Sequence, residues 1–167
     1  MLVILALLSS GKWSQYNFID LYNFCAIMIY ELWNWRFFGL EWLNGNRPVQ
    51  DWFDGLPVEA KDEARDTFGY LEHSPITAWK KPKFDPLRGE EVSEVRFGTE
   101  THTYRIYGCY GPDYLGRQVF SLLYGHDKKT GNDREGKREA TKRRRLVERR
   151  EAVVHAFEFY RSLDGKN

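Results

Sequence analysis

Between Phe84 and Lys129 three strand-like runs follow one another, and each delivers cations. Arg96 sits in Ser-Glu-Val-Arg-Phe and Arg105 in Thr-Tyr-Arg-Ile-Tyr. Lys128 and Lys129 stand just past Val-Phe-Ser-Leu-Leu-Tyr-Gly-His-Asp. A small sheet that gathers such side chains toward one place is suited to gripping a polyanion, RNA phosphate being one. Arg105 is the best candidate for the grip, because its planar fork matches two phosphate oxygens. Arg96 is the second, although Glu94 shares its face and offers it an ion pair. His126, beside Asp127 and Lys128, is the candidate for moving a proton, since histidine can take and give one near neutral pH. Lys128, Lys129 and His126 are also open to the plainer reading of a solvated turn. No set of His, Cys, Asp and Glu has metal-ligand spacing, so neither a metal nor another cofactor is expected.

The elements that must position these residues follow from periodicity. Leu32 to Leu43, rich in Trp, Phe and Leu, reads as an opening strand, broken by Asn44-Gly45-Asn46. Pro48 stands where a first helical residue belongs, and Val49, Trp52, Phe53 and Leu56 recur at helical spacing. A second helix follows Pro57, with Ala60, Ala64, Phe68 and Leu71 as its apolar stripe, and Ser74-Pro75 ends it. Thr77 to Pro86 reads as an ordered loop. In the three strands, alternation puts Val95 and Phe97 opposite Glu94 and Arg96, and Arg105 and Tyr107 opposite Tyr104 and Ile106. The third, with Val119, Phe120, Leu122 and Leu123, is apolar on both faces and belongs in the middle of a sheet. From about Glu135 to Ser162 the pattern is helical again, with Leu146, Val153, Phe157 and Tyr160 on one stripe. This order predicts an α+β fold: a small, mainly antiparallel sheet packed on the two N-terminal helices, with a basic helix at the C-terminal end.

The chain has 167 residues, 16% of them aromatic, and a net charge of only +1. That length supports one domain with a real core, and the aromatic content argues against disorder. The small net charge hides an uneven distribution. Residues 51 to 66 are acidic, while residues 137 to 150 carry Lys137, Arg138, Lys142, Arg143, Arg144, Arg145, Arg149 and Arg150. Such a basic helix suits a polyanionic partner or an acidic protein, and Arg143, Arg144 and Arg145 are its candidate RNA-binding residues. Two lone cysteines, Cys25 and Cys109, suggest reduced thiols and a cytoplasmic location. Residues 1–27 begin with a short apolar run and read as an appendage or an upstream start before Met28. Residues 28–167 form the domain, and a stable membrane association is not expected.

Several local runs, taken in order, resemble the RelE/HigB superfamily of bacterial toxins, most closely its phage-derived HigB-like branch. They are Pro48-Val49 to Leu56, Leu87-Arg88-Gly89 followed by Glu94-Val95-Arg96, Tyr104-Arg105-Ile106, and Leu122 to Lys129. The resemblance implies a RelE-like sheet and the toxin of a type II toxin–antitoxin pair, acting as a ribosome-dependent, metal-independent mRNA endonuclease. It also implies a cognate antitoxin, expected to be of helix-turn-helix type, and the ribosome with its mRNA as partners. In such chemistry the ribose 2′-hydroxyl attacks the adjacent phosphate, which needs a base, cations for the phosphorane and an acid for the 5′-oxygen. Arg105, His126, Arg96 and Lys128 are the residues here expected to share those tasks, with Lys129 and the basic helix holding RNA. The chain departs from the superfamily in lacking lysines at Val92 and Glu94 and a Lys-Thr-Pro ending. A non-catalytic binder on the same fold, either a gyrase inhibitor like the ParE branch or a nucleic-acid-binding module, is the competing expectation.

Overall fold

The computed structural model describes residues 34–112, 115, 118–128 and 133–160. Residues 1–27, with Cys25, as well as Met28, Gly116, Lys129 and the chain beyond residue 160 lie outside the described residues. Strand β1 (Arg36–Trp42) leads to helices α1 (Pro48–Asp54) and α2 (Val58–Glu72). A 3-10 turn (Ile76–Ala78) and the two-residue strand β2 (Phe84–Asp85) follow. Then come β3 (Ser93–Gly98), β4 (Thr103–Tyr110), β5 (Val119–Asp127), α3 (Arg134–Glu148) and β6 (Ala152–Ala156). The six strands form one sheet in the order β2-β3-β4-β5-β1-β6. Every neighbouring pair is antiparallel except β1 with β5. The two-sided apolar strand β5 therefore lies inside the sheet, as its composition predicts.

Pro48 opens α1, where its missing N–H costs nothing because first-turn donors have no helical partner. The stripe of α2 is fully buried: Ala60 and Ala64 at 0%, Phe68 at 1% and Leu71 at 0% exposure. These helices cover one face of the sheet. Phe37 of β1 meets Phe68 edge-on at 4.8 Å, and Trp79 meets Phe120 at 5.6 Å. Trp52 of α1 lies on Gly125, Phe97 and Tyr104. Any side chain at Gly125 would run into the Trp52 ring, so that glycine is required by close approach.

One expectation needs correction. The helix predicted to reach Ser162 stops at Glu148, and Ala152–Ala156 pairs as a strand with β1 instead. The stop is a Schellman closure: Glu151 N–H donates to Leu146 O, and Arg150 N–H to Val147 O, with Arg150 at φ 60. The turn sends Val153 and Val154, β-branched and poor helix formers, onto the free edge of β1. The extended C-terminal helix is thus a shorter basic helix followed by an edge strand. It packs not beside α1 and α2 but on the opposite face of the sheet, where Gly136 meets Tyr107 and His126 and Arg143 meets Tyr124.

Candidate nucleic-acid interface and active site

The face beneath α3 is polar. Cross-strand partners share a face, and the register pairs Glu94 with Tyr107, Arg96 with Arg105, Arg105 with His126, and Tyr107 with Tyr124. Six chemically active side chains from three strands thus form one grid: Glu94, Arg96, Arg105, Tyr107, Tyr124 and His126. Tyr107 and Tyr124 both stack on His126, at 5.7 and 5.8 Å between centroids.

The third strand reaches the grid through a bulge. Gly108 pairs with Leu122 while Tyr107 pairs with Tyr124, so Leu123 has no opposite number in β4. Upstream of it, Phe120 and Leu122 face the aromatic core; downstream, Tyr124 and His126 face α3 although their sequence parity is the same. One extra residue re-aims every later side chain. Arg143 holds the bulge: its guanidinium donates to Leu123 O at 3.0 Å and lies over Tyr124 (4.9 Å) and Trp42 (5.5 Å).

Two arginines opposite one another across a ladder repel, and the chain answers with carboxylates. Glu94, at 0% exposure, accepts from Arg96 Nε at 2.5 Å and lies 3.0 Å from Arg105 Nη1. Asp85 takes the other side of Arg96 at 2.9 Å, and Lys81 reaches Asp85 at 3.1 Å. Asp133, just before α3, accepts from Arg105 Nη1. Glu94 Oε2, Arg105 Nε, Tyr107 Oη and His126 Nε2 are nonetheless buried without a hydrogen bond. Buried polar atoms are rarely left so, and four in one patch make it the candidate site. Burial pushes the Tyr107 hydroxyl up to about 12, against the pull of the neighbouring Arg105 guanidinium. Tyr107 therefore stays protonated and can donate.

Asp85 carries a pH consequence. Burial alone would raise its carboxyl, but the Lys81 and Leu87 hydrogen bonds and the Lys81 and Arg96 charges outweigh it and hold it below its ordinary value. A folded value below the unfolded one stabilises at neutral pH, and that stabilisation is lost as pH falls through the folded value. We expect stability to decline below about pH 4, and Asp85→Asn to flatten that decline in denaturant melts taken across the acid range. An equally steep decline in the variant would remove Asp85 from the account.

Of the residues singled out in the sequence, Arg96, Arg105 and His126 are brought together. Lys128 is exposed at the end of β5, with its backbone N–H donating to Thr103 O at 2.8 Å. Arg143 is turned inward onto the bulge and Glu139. Arg144 bonds Glu148 and Glu91 O, and Arg145 is exposed, 3.4 Å from Glu91. The outer face of α3 instead presents Arg134, Arg138, Lys142, Arg145 and Arg149, all exposed. Their four- and three-residue steps keep them on one stripe. Sequence reasoning missed Tyr107, Tyr124 and Asp133. Tyr107 was within reach, since it alternates with Arg105; Tyr124 was hidden by the bulge, and Asp133 by an ion pair that spans 28 residues.

Among the described residues, no helix is long and apolar enough to cross a membrane, and no group of three or more His, Cys, Asp or Glu is disposed to hold a metal ion. No curated protein and no solved structure matches the chain. Residues 51–148, from α1 to the end of α3, match the family described as "Phage derived protein Gp49-like (DUF891)". With more than half its length matched, including the whole polar grid, the chain belongs to this Gp49-like phage-derived family, within the RelE/HigB-like toxin superfamily.

Proposed function

We propose that the protein is the toxin of a toxin–antitoxin pair and cuts mRNA on the ribosome. The observation that carries this reading is the grid, where cationic, phenolic and imidazole groups meet on one face with unused hydrogen-bonding atoms. The 2′-oxygen forms its bond to phosphorus as the bond to the 5′-oxygen breaks. His126 takes the 2′ proton, and water protonates the departing 5′-oxygen. Arg105, through its unused Nε, and Tyr107, through its hydroxyl, donate to the phosphorane oxygens, where such donors stabilise developing charge best. Arg96 and Lys128 add positive potential. Purified protein added to a translation extract should cut mRNA only when ribosomes are present, leaving 2′,3′-cyclic phosphate and 5′-hydroxyl ends. Ends of the opposite kind would refute this chemistry. A second reading, a non-catalytic binder, draws on the carboxylates that already engage Arg96 and Arg105. Arrest of the extract with its mRNA intact would select it. A cognate antitoxin, the expected partner of such a toxin, would relieve either kind of arrest.

The α3 stripe supplies the hold on ribosomal RNA in this reading. It runs about 22 Å along the helix, and no exposed large apolar side chain lies on α3 to anchor a protein partner. Changing Arg138, Lys142 and Arg149 to glutamate should weaken ribosome binding by at least about tenfold near 0.1 M salt. It should also lower the log–log salt slope by about 3, one for each phosphate that is no longer neutralised. An unchanged slope would free the stripe from this role.

A further inference from the structure

The carboxylate of Asp133 lies against the guanidinium of Arg105, the group proposed above to hold phosphate. Arg105 is 6% exposed, and its guanidinium is held from one side by Glu94 and from the other by Asp133. Glu94 is built into β3 and cannot leave. Asp133 is not part of the sheet; it precedes the first turn of α3, and its carbonyl accepts from Lys137 N–H at 3.1 Å. That turn is what closes the grid. A side chain at Gly136 would come within 2.7 Å of the Tyr107 ring and 3.2 Å of His126 Nε2, so the backbone of α3 lies directly on two residues to which the proposed reaction gives a role. Three of the buried atoms without partners, Arg105 Nε, Tyr107 Oη and His126 Nε2, belong to residues that meet Asp133 or Gly136.

The charges match as well. Around the grid stand Arg96, Arg105 and Lys81 against Glu94, Asp85 and Asp133. The cluster is balanced only while Asp133 is present. A phosphodiester carries one negative charge, as the Asp133 carboxylate does, so exchanging one for the other keeps the balance. A buried arginine left without that partner would be costly, which explains why the chain supplies its own anion when no RNA is bound.

We propose that Asp133 is an internal stand-in for the RNA phosphodiester, and that substrate displaces it from Arg105 together with the first turn of α3. The inference rests on the nuclease reading of the same grid. It makes the isolated protein self-covered, and it places the opening of the site in the exchange of one anion for another.

The test uses binding rather than cleavage. A fluorescent 2′-deoxy tetranucleotide, which cannot be cut by 2′-oxygen attack, is titrated into the full chain and into Asp133→Asn. Asparagine keeps the shape and removes the charge, so the variant should bind at least tenfold tighter. The gain should vanish when Arg105→Lys is combined with it. Equal or weaker binding by folded Asp133→Asn, or a gain that persists beside Arg105→Lys, overturns the proposal. Should Asp133→Asn fail to fold, the parent decides. Saturation with the tetranucleotide should speed amide exchange over residues 137–140, and unchanged or slower exchange there overturns the proposal. Tighter binding by Asp133→Asn with no mRNA cleavage by the parent would leave the phosphate site standing and remove the nuclease. Cleavage by the parent with no effect of Asp133→Asn would do the reverse.

Discussion

Arg105→Lys should fold normally and cut mRNA on programmed ribosomes at least about 100-fold more slowly than the parent, the loss typical of removing one preorganised donor to a developing oxyanion. The choice of lysine follows from the ion pairs. Glu94, fully buried, lies between Arg96 and Arg105, so alanine at 105 would take away charge that Glu94 needs and confuse folding with chemistry. Lysine keeps one positive charge. It cannot keep the planar fork, or the Nε donor that the folded chain leaves unused. The measurement is single-turnover cleavage at saturating enzyme, with the melting temperature taken alongside. A variant that melts with the parent and cuts at the parental rate would reduce Arg105 to a structural cation.

The largest expected effect on stability belongs to Glu94→Ala. Removing this carboxylate leaves the guanidinium groups of Arg96 and Arg105 facing each other across the ladder with no anion between them. Breaking a buried pair by taking one partner typically costs about 3–5 kcal/mol. Asp85 still serves Arg96 and Asp133 still serves Arg105, so the lower end, about 3 kcal/mol, is expected from denaturant unfolding. Glu94→Gln, which fills the same volume and keeps an acceptor, should cost less. A loss under about 1 kcal/mol for the alanine variant would mean that the network behaves like a surface salt bridge.

Much of this architecture is legible in the sequence, and the exceptions have physical causes. α1 and α2 announce themselves through Pro48, Pro57 and stripes that prove buried. The alternation of β3 and β4 places Glu94 with Arg96 and Arg105 with Tyr107 from spacing alone. β6 was not legible, because Leu146, Val153 and Phe157 keep a helical rhythm across the break. The turn between them uses Arg150 in a left-handed conformation where glycine usually gives the signal. The site was half legible. Cations near strand centres can be read from sequence, but whether they are free depends on partners such as Asp85 and Asp133, 11 and 28 residues away. Arg143 shows the same limit: in the sequence it belongs to a basic run, and in the fold it secures a carbonyl of β5.

The single unpaired residue Leu123 splits β5 into two reading frames. Ahead of it, even-numbered positions face the aromatic interior; behind it, they face α3 and the polar grid instead. Drawing Leu123 into the ladder, so that the bulge closes with no residue lost, would keep the strand's composition yet swing Tyr124 and His126 toward Trp52 and turn Gly125 toward α3 in their place. The aim of the grid therefore depends on the bulge that Arg143 secures as much as on the side chains that compose it.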